Sequence, residues 1–190
     1  MTARTHDIIA FAALVTAAGY YTPTGLHVTT VFLAVVGNVV GALLPDIDQG
    51  TNRLWDLLPG GNYVGRVFRK AFIGHRTITH SLLGAFLTYK LFDFVLPRIL
   101  NVGYVDIPIV FAAIMIGYFS HLVADALTKD GIPLLFPLPM KFGFPPIRAM
   151  RITTGKWIEN LIVFPGTVIY IMWYISQYSQ SLLKVFKTLS

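Results

Sequence analysis

Residues 107–125 read IPIVFAAIMIGYFSHLVAD, and this stretch decides the fold. From 107 to 124 it carries no formal charge, and it closes on an acid. A membrane-crossing helix needs roughly 20 apolar residues, so length and composition both fit a span. His121 lies near its end, four residues before Asp125. On a helix those two share one face, where an imidazole and a carboxylate can ligate one divalent ion. Ionisable groups beside an apolar core are costly unless paired or functional. A helical His-x-x-x-Asp pair is also common without any metal, so its meaning depends on the rest of the chain.

Outward from this stretch, apolar zones recur at 8–19, 28–44, 81–97 and 160–183, the third interrupted by Lys90 and Asp93. Residues 20–25, YYTPTG, read as a turn between the first two. Over 190 residues the chain is 55% hydrophobic and 13% charged, with a mean hydropathy of +0.64. Soluble domains carry about 25% charged residues, so an ordinary water-soluble domain is disfavoured. Disorder, a collagenous fibre and a solvated coiled coil are excluded. The expectation is all-α: an integral membrane helical bundle of about four to five helices, forming a single domain over 1–190. A signal peptide is the bland alternative for the N-terminus. Its charged leader is weak, and Asp7 is out of place there.

Net charge is +6. Nucleic acid is one reading of a basic chain, but no helix-turn-helix, finger or aromatic strand pattern supports it. The basic residues lie instead in loops between the apolar zones. If the chain changes sides at each zone, one side receives Arg4, Arg53, Arg66, Arg69, Lys70, Arg76, Lys129, Lys141, Arg148, Arg151 and Lys156, which is 11 of the 15. The positive-inside rule places that side in the cytoplasm. The chain is then a multi-pass protein of the inner membrane whose first partner is membrane lipid. The loops 46–80 and 131–146 are rich in Gly and Pro and suit an interfacial cap. No oligomeric state can be read from the sequence.

Cysteine is absent, so a metal site must draw on His, Asp, Glu or backbone oxygen. Eight such side chains gather at the cytoplasmic end: His6, Asp46, Asp48, His75, His80, His121, Asp125 and Glu159. His27 is the only histidine on the far side. Asp46 and Asp48 point alike if their segment is extended. His75 and His80 are five apart and converge only if His75 lies in the loop and His80 in the first turn of the next helix. Each has a plainer reading. Pro45-Asp46-Ile47-Asp48 reads also as a helix stop, His75 as a cap and Arg76 as a lipid-phosphate contact. Glu159 reads also as a carboxylate favoured by a helix N-terminus, and His6 as solvated. The gathering, rather than any one residue, argues for a divalent metal. With no sulfur ligand Zn²⁺ is favoured, with Mn²⁺ or another His/carboxylate metal open.

Four motifs together carry a family resemblance: LLPDID at 43–48, HRTITHS at 75–81, HLVADALT at 121–128 and TGKWIE at 154–159. With the early Thr5-His6 they resemble the YdjM family, integral membrane proteins described as metal-dependent hydrolases. The resemblance covers nearly the whole chain, and HRxxTHS is its most specific element. Through the family, a distant likeness to zinc-dependent phospholipase C and P1-type nucleases is implied. On that likeness His80, His121 and Asp125 match one metal site, His6 and Glu159 complete a second, and Asp46 or Asp48 lies near the attacking water.

The function expected is hydrolysis of a phosphoric ester of a lipid or other amphipathic molecule. In it Asp46 or Asp48 orients or deprotonates water, Arg76 offsets phosphate charge and His75 protonates the leaving oxygen. From another class, the same cluster would serve a non-enzymatic ion carrier or a membrane scaffold. A carrier needs polar residues through to the far side, where the sequence offers only His27, Thr29, Thr30 and, midway, Asn38.

Overall fold

The computed structural model describes residues 1–21, 26–48, 55 and 78–187. Six α-helices stand among them: α1 (Ala3–Tyr21), α2 (Val28–Leu43), α3 (Leu82–Ile99), α4 (Ile107–Ala126), α5 (Phe164–Gln177) and α6 (Ser179–Lys187). No strand occurs among the described residues, only two isolated bridges, Thr128–Ile152 and Ile132–Phe142.

Asp106 starts α4 by accepting a hydrogen bond from Ile109 N, with Pro108 in the first turn where a missing N–H costs nothing. Helix α4 packs against α1, α2 and α3, and α1 packs in turn on α5. Helix α2 continues into a 3₁₀ turn, Leu44–Asp48. This extended α2 (Val28–Asp48) and α4 are 21 and 20 residues long with a mean hydropathy of 2.0 each, long and apolar enough to cross a membrane.

The α2–α4 crossing is close because glycine sits at it. A Cβ on Gly41 would run into the Ile114 carbonyl, and one on Gly117 into the Asn38 carbonyl. Asn38 Nδ2 seals the crossing by donating to Ala113 O at 3.1 Å. Two apolar cores lie along α4. One holds Tyr118 and Leu122 with Ala85 and Ile132. The other, toward the helix start, holds Val110 and Ile114 with Leu96 and Val105. Away from these cores the helices present large apolar side chains outward. Phe32, Phe94, Ile169 and Met172 are between 59% and 68% exposed, a surface that suits hydrocarbon rather than water.

Two expectations from the sequence need correction. The described residues hold six α-helices rather than about four to five, because the last apolar zone, 160–183, divides into two. A π-helical turn, Glu159–Val163, leads into α5, which ends at Gln177, and α6 begins after a break at Tyr178. His80 is not in the first turn of α3. It closes a separate 3₁₀ turn, Ile78–His80, and Ser81 caps α3 by accepting from Gly84 N.

Candidate metal centre

Four segments bring ionisable side chains to one end of the bundle. Helix α1 supplies His6, the 3₁₀ turn after α2 supplies Asp46, the turn before α3 supplies His80, and α4 supplies His121 and Asp125. His6, His80, His121 and Asp125 are all at most 2% exposed. Asp46 is 19% exposed at its side chain and forms the open edge.

The donor atoms face one another. His6 Nε2 lies 3.2 Å from Asp125 Oδ1. His80 Nε2 lies 3.4 Å from Asp125 Oδ2 and 3.5 Å from Asp46 Oδ1. His121 Nε2 lies 3.7 Å from Asp125 Oδ2 and 3.8 Å from Asp46 Oδ1. Around a zinc-like ion with bonds of about 2.0–2.2 Å, neighbouring ligand atoms stand about 2.8–3.6 Å apart. Three of these five separations lie inside that range and two lie just beyond it. His6, His121 and Asp125 form one possible ligand group, and Asp46, His80 and His121 another.

The two groups meet in His121. Its Nδ1 donates to Ala42 O at 2.7 Å, which leaves Nε2 as the nitrogen with a lone pair. One lone pair serves one ion, so the five side chains read as one overlapping site. The His6 ring stacks on the His121 ring at 3.6 Å between centroids and 7° between planes. Buried and without a well-directed hydrogen bond, His6 Nε2, His121 Nε2 and Asp46 Oδ1 have donor capacity to spare for a ligand. The chemistry fits as well: three imidazoles and two carboxylates without sulfur suit Zn²⁺ or Mn²⁺. The α-amino group of Met1 lies against the same carboxylate, 2.5 Å from Asp125 Oδ1. For His80, burial favours the neutral ring, but the Asp125 and Asp46 carboxylates outweigh it and raise its pKa.

The remaining candidates fall elsewhere. Asp48 is buried but joins neither ligand group. Its segment is 3₁₀ rather than extended, so residues two apart diverge by about 120° instead of pointing alike. Glu159 does not complete a second site with His6. Its Oε1 accepts from Thr2 N at 2.7 Å and Thr2 Oγ at 2.8 Å, and its Oε2 accepts from Gly155 N at 2.7 Å. Gly155 makes this reach with φ +72°, a conformation that favours glycine. Burial pushes the Glu159 carboxyl up, but these donors, together with the Thr5 hydroxyl, pull it down to about 2. His75 and Arg76 lie outside the described residues. Two participants had no signal in the sequence. Ala42 acts through its carbonyl, and a threonine at position 2 carries no distinguishing pattern.

A family model described as YdjM inner membrane protein matches residues 1–183 of the chain. An uncharacterized protein YvsG of Bacillus subtilis is 34% identical over 163 residues, covering 86% of this chain and 88% of its own. The inner membrane protein YdjM of Escherichia coli is 32% identical over 124 residues, 65% of this chain, and the match spans 58% of the Escherichia coli protein's length. The Shigella flexneri protein of that name matches to the same extent. No solved structure matches the chain.

Proposed function

The chain belongs to the YdjM family of inner membrane proteins, and from that membership and the buried cluster we propose that it is a membrane-bound metal-dependent hydrolase of phosphoric esters. The observation that supports this reading is that His6, Asp46, His80, His121 and Asp125, from four segments, form two possible ligand groups that share His121. Imidazoles and carboxylates buried in an apolar bundle are costly to keep, and a shared cation offsets that cost.

A divalent ion held there would supply Lewis acidity toward a phosphoryl oxygen and lower the pKa of water. His121, its Nδ1 held by Ala42 O, would hold the ion through Nε2. Asp125 faces His6 with one oxygen and His80 and His121 with the other, which sets their mutual positions. Asp46, the one partly open carboxylate, accepts the proton of an attacking water. Arg76 offsets phosphate charge and His75 protonates the leaving oxygen. The site faces the cytoplasm, since the basic residues are concentrated at its end of the chain's alternating topology. The favoured substrate is a lipid phosphate.

The test is elemental analysis of the detergent-purified chain, followed by phosphate release from phospholipids and from nitrophenyl phosphate esters. Zinc or manganese in stoichiometric amount is expected, lost in His121→Ala and in Asp125→Ala together with turnover. A chain without metal above background, or turnover that survives both substitutions, overturns the reading.

A further inference from the structure

The loop between α4 and α5 is a built surface rather than a slack connection. Ile132 and Phe142 exchange backbone hydrogen bonds at 2.8 Å each. Phe144 N donates to Ala126 O at the end of α4, and Leu82 N at the start of α3 donates to Leu134 O. Lys129 and Leu127 are paired to Ile152 across the base. Arg151 reaches back inside the loop, Nε to Pro145 O at 2.7 Å and Nη2 to Pro146 O at 3.1 Å.

This fixed loop turns its large apolar side chains outward. Leu138, Met140, Phe144, Ile147, Met150 and Trp157 are all more than half exposed, Phe144 and Met150 at 67%. Between them stand exposed Lys141, Arg148 and Lys156, and residues 131–158 contain no Asp or Glu. The loop begins directly after Asp125 and Ala126, so it lies at the same end of the bundle as the cluster. Over 131–158, past the exposed Asp130 at the loop's start, apolar side chains held outward by these hydrogen bonds, with Lys and Arg as the only charged residues and a Trp among them, match the boundary between headgroups and acyl chains. The absence of acidic residues complements an anionic surface.

From this we infer that residues 132–157 form a membrane-seating surface, which inserts its apolar side chains below the headgroups of anionic phospholipids in the leaflet nearest the cluster. The inference goes beyond the hydrolase reading and does not depend on metal or turnover. Its consequence for that reading is that the loop holds the cluster at the level of lipid phosphates.

The chain has no cysteine, so single Leu138→Cys, Phe144→Cys and Ile147→Cys variants can each carry one nitroxide label in the full-length protein. The chain is reconstituted in phosphatidylcholine vesicles with and without phosphatidylglycerol. Collisions with oxygen and with a water-soluble nickel chelate report depth. Phosphatidylglycerol is expected to raise the oxygen-to-nickel ratio several-fold at all three sites. Adding Lys141→Glu and Arg148→Glu is expected to remove most of that gain, while size-exclusion elution stays unchanged. Labels that remain open to the nickel chelate in phosphatidylglycerol vesicles overturn the inference and leave the face to a protein partner. Retained metal and turnover in that case would leave the hydrolase reading standing.

Discussion

His121 donates its Nδ1 proton to the carbonyl of Ala42 across 2.7 Å, joining the end of α2 to the last turns of α4. That bond selects the tautomer and aims Nε2 at Asp125 and Asp46. The imidazole is therefore a candidate ligand held by backbone, and backbone is the most rigid partner available to it. A phenylalanine at 121 keeps much of the ring volume and its stack on His6 but removes the donor nitrogen. His121→Phe is expected to purify without metal. The parent chain should lose melting temperature on chelation, since a ligand present at 100 times its Kd adds about 2.7 kcal/mol. The variant's melting temperature should not respond to chelator. Equal responses in a thermal-shift assay would remove His121 from the ligand set.

Glu159 anchors the segment that delivers His6. Three donors from Thr2 and Gly155 hold its carboxylate in the charged form. Removing the charge weakens all three bonds, and hydrogen bonds to a charged group contribute about 1.5–3 kcal/mol each at most. Glu159→Gln is expected to loosen the start of α1 and weaken metal binding about 10-fold, as substitutions next to ligands do, without abolishing it. The pH dependence has a definite sign. A carboxyl held near 2 instead of its ordinary 4.5 contributes stability that is full above 4.5 and is lost as pH falls toward 2. Thermal melts of the parent and the Gln variant should therefore converge as pH drops through that window. A constant difference across it would show that the charge of Glu159 is not what holds Thr2.

The sequence showed the candidate spans because apolar composition and length are local properties: 107–124 and 28–44 became α4 and the extended α2, each long and apolar enough to cross a membrane. It showed the gathering at one end because chain alternation is enough to sort residues by side. What escaped it was geometry at the scale of one turn. Asp46 and Asp48 alternate as equivalents in sequence, and the 3₁₀ winding of Leu44–Asp48 sets residues two apart on different faces, with Asp46 alone of the two in a ligand group. Glu159 carries the chemistry of a ligand, yet the N–H groups that occupy it come from Thr2 and Gly155, one of them 157 residues distant. The α2–α4 approach depends on Gly41 and Gly117 meeting carbonyls of the opposite helix, a pairing that composition does not reveal.

Asp46 and Asp48 separate ligand from support. Asp46→Asn keeps the shape but removes the charge that faces His80 and His121. It is expected to lose metal and to lower turnover at least as far as a removed general base does, about 10²–10⁴-fold. Asp48→Asn, two residues on and in neither ligand group, is expected to retain metal while lowering the melting temperature, because Asp48 is 5% exposed. Metal analysis of the two variants side by side decides the point. Loss of metal from Asp48→Asn alone would reverse their roles.

The α2–α4 crossing supplies the last prediction. Gly117 allows the Asn38 carbonyl to approach α4, and Gly41 allows the Ile114 carbonyl to approach α2. Both lie within a turn of the Ala42–His121 bond, which needs the helices at this distance. Because the obstacle in each case is backbone, a new Cβ cannot be accommodated by a side-chain rotation. Overpacking of this kind costs about 1–3 kcal/mol. Gly117→Ala is therefore expected to lower stability, break the Asn38–Ala113 bond and weaken metal binding, although residue 117 touches no ligand atom. Gly166→Ala in α5 is the matched control. A Cβ there meets nothing within 4 Å, and alanine favours the helix by up to about 1 kcal/mol over glycine. That variant should melt at or above the parent and bind metal with unchanged affinity. Metal titration followed by thermal shift reads both effects at once. Unchanged affinity in Gly117→Ala would mean that His121 reaches its place without the close crossing.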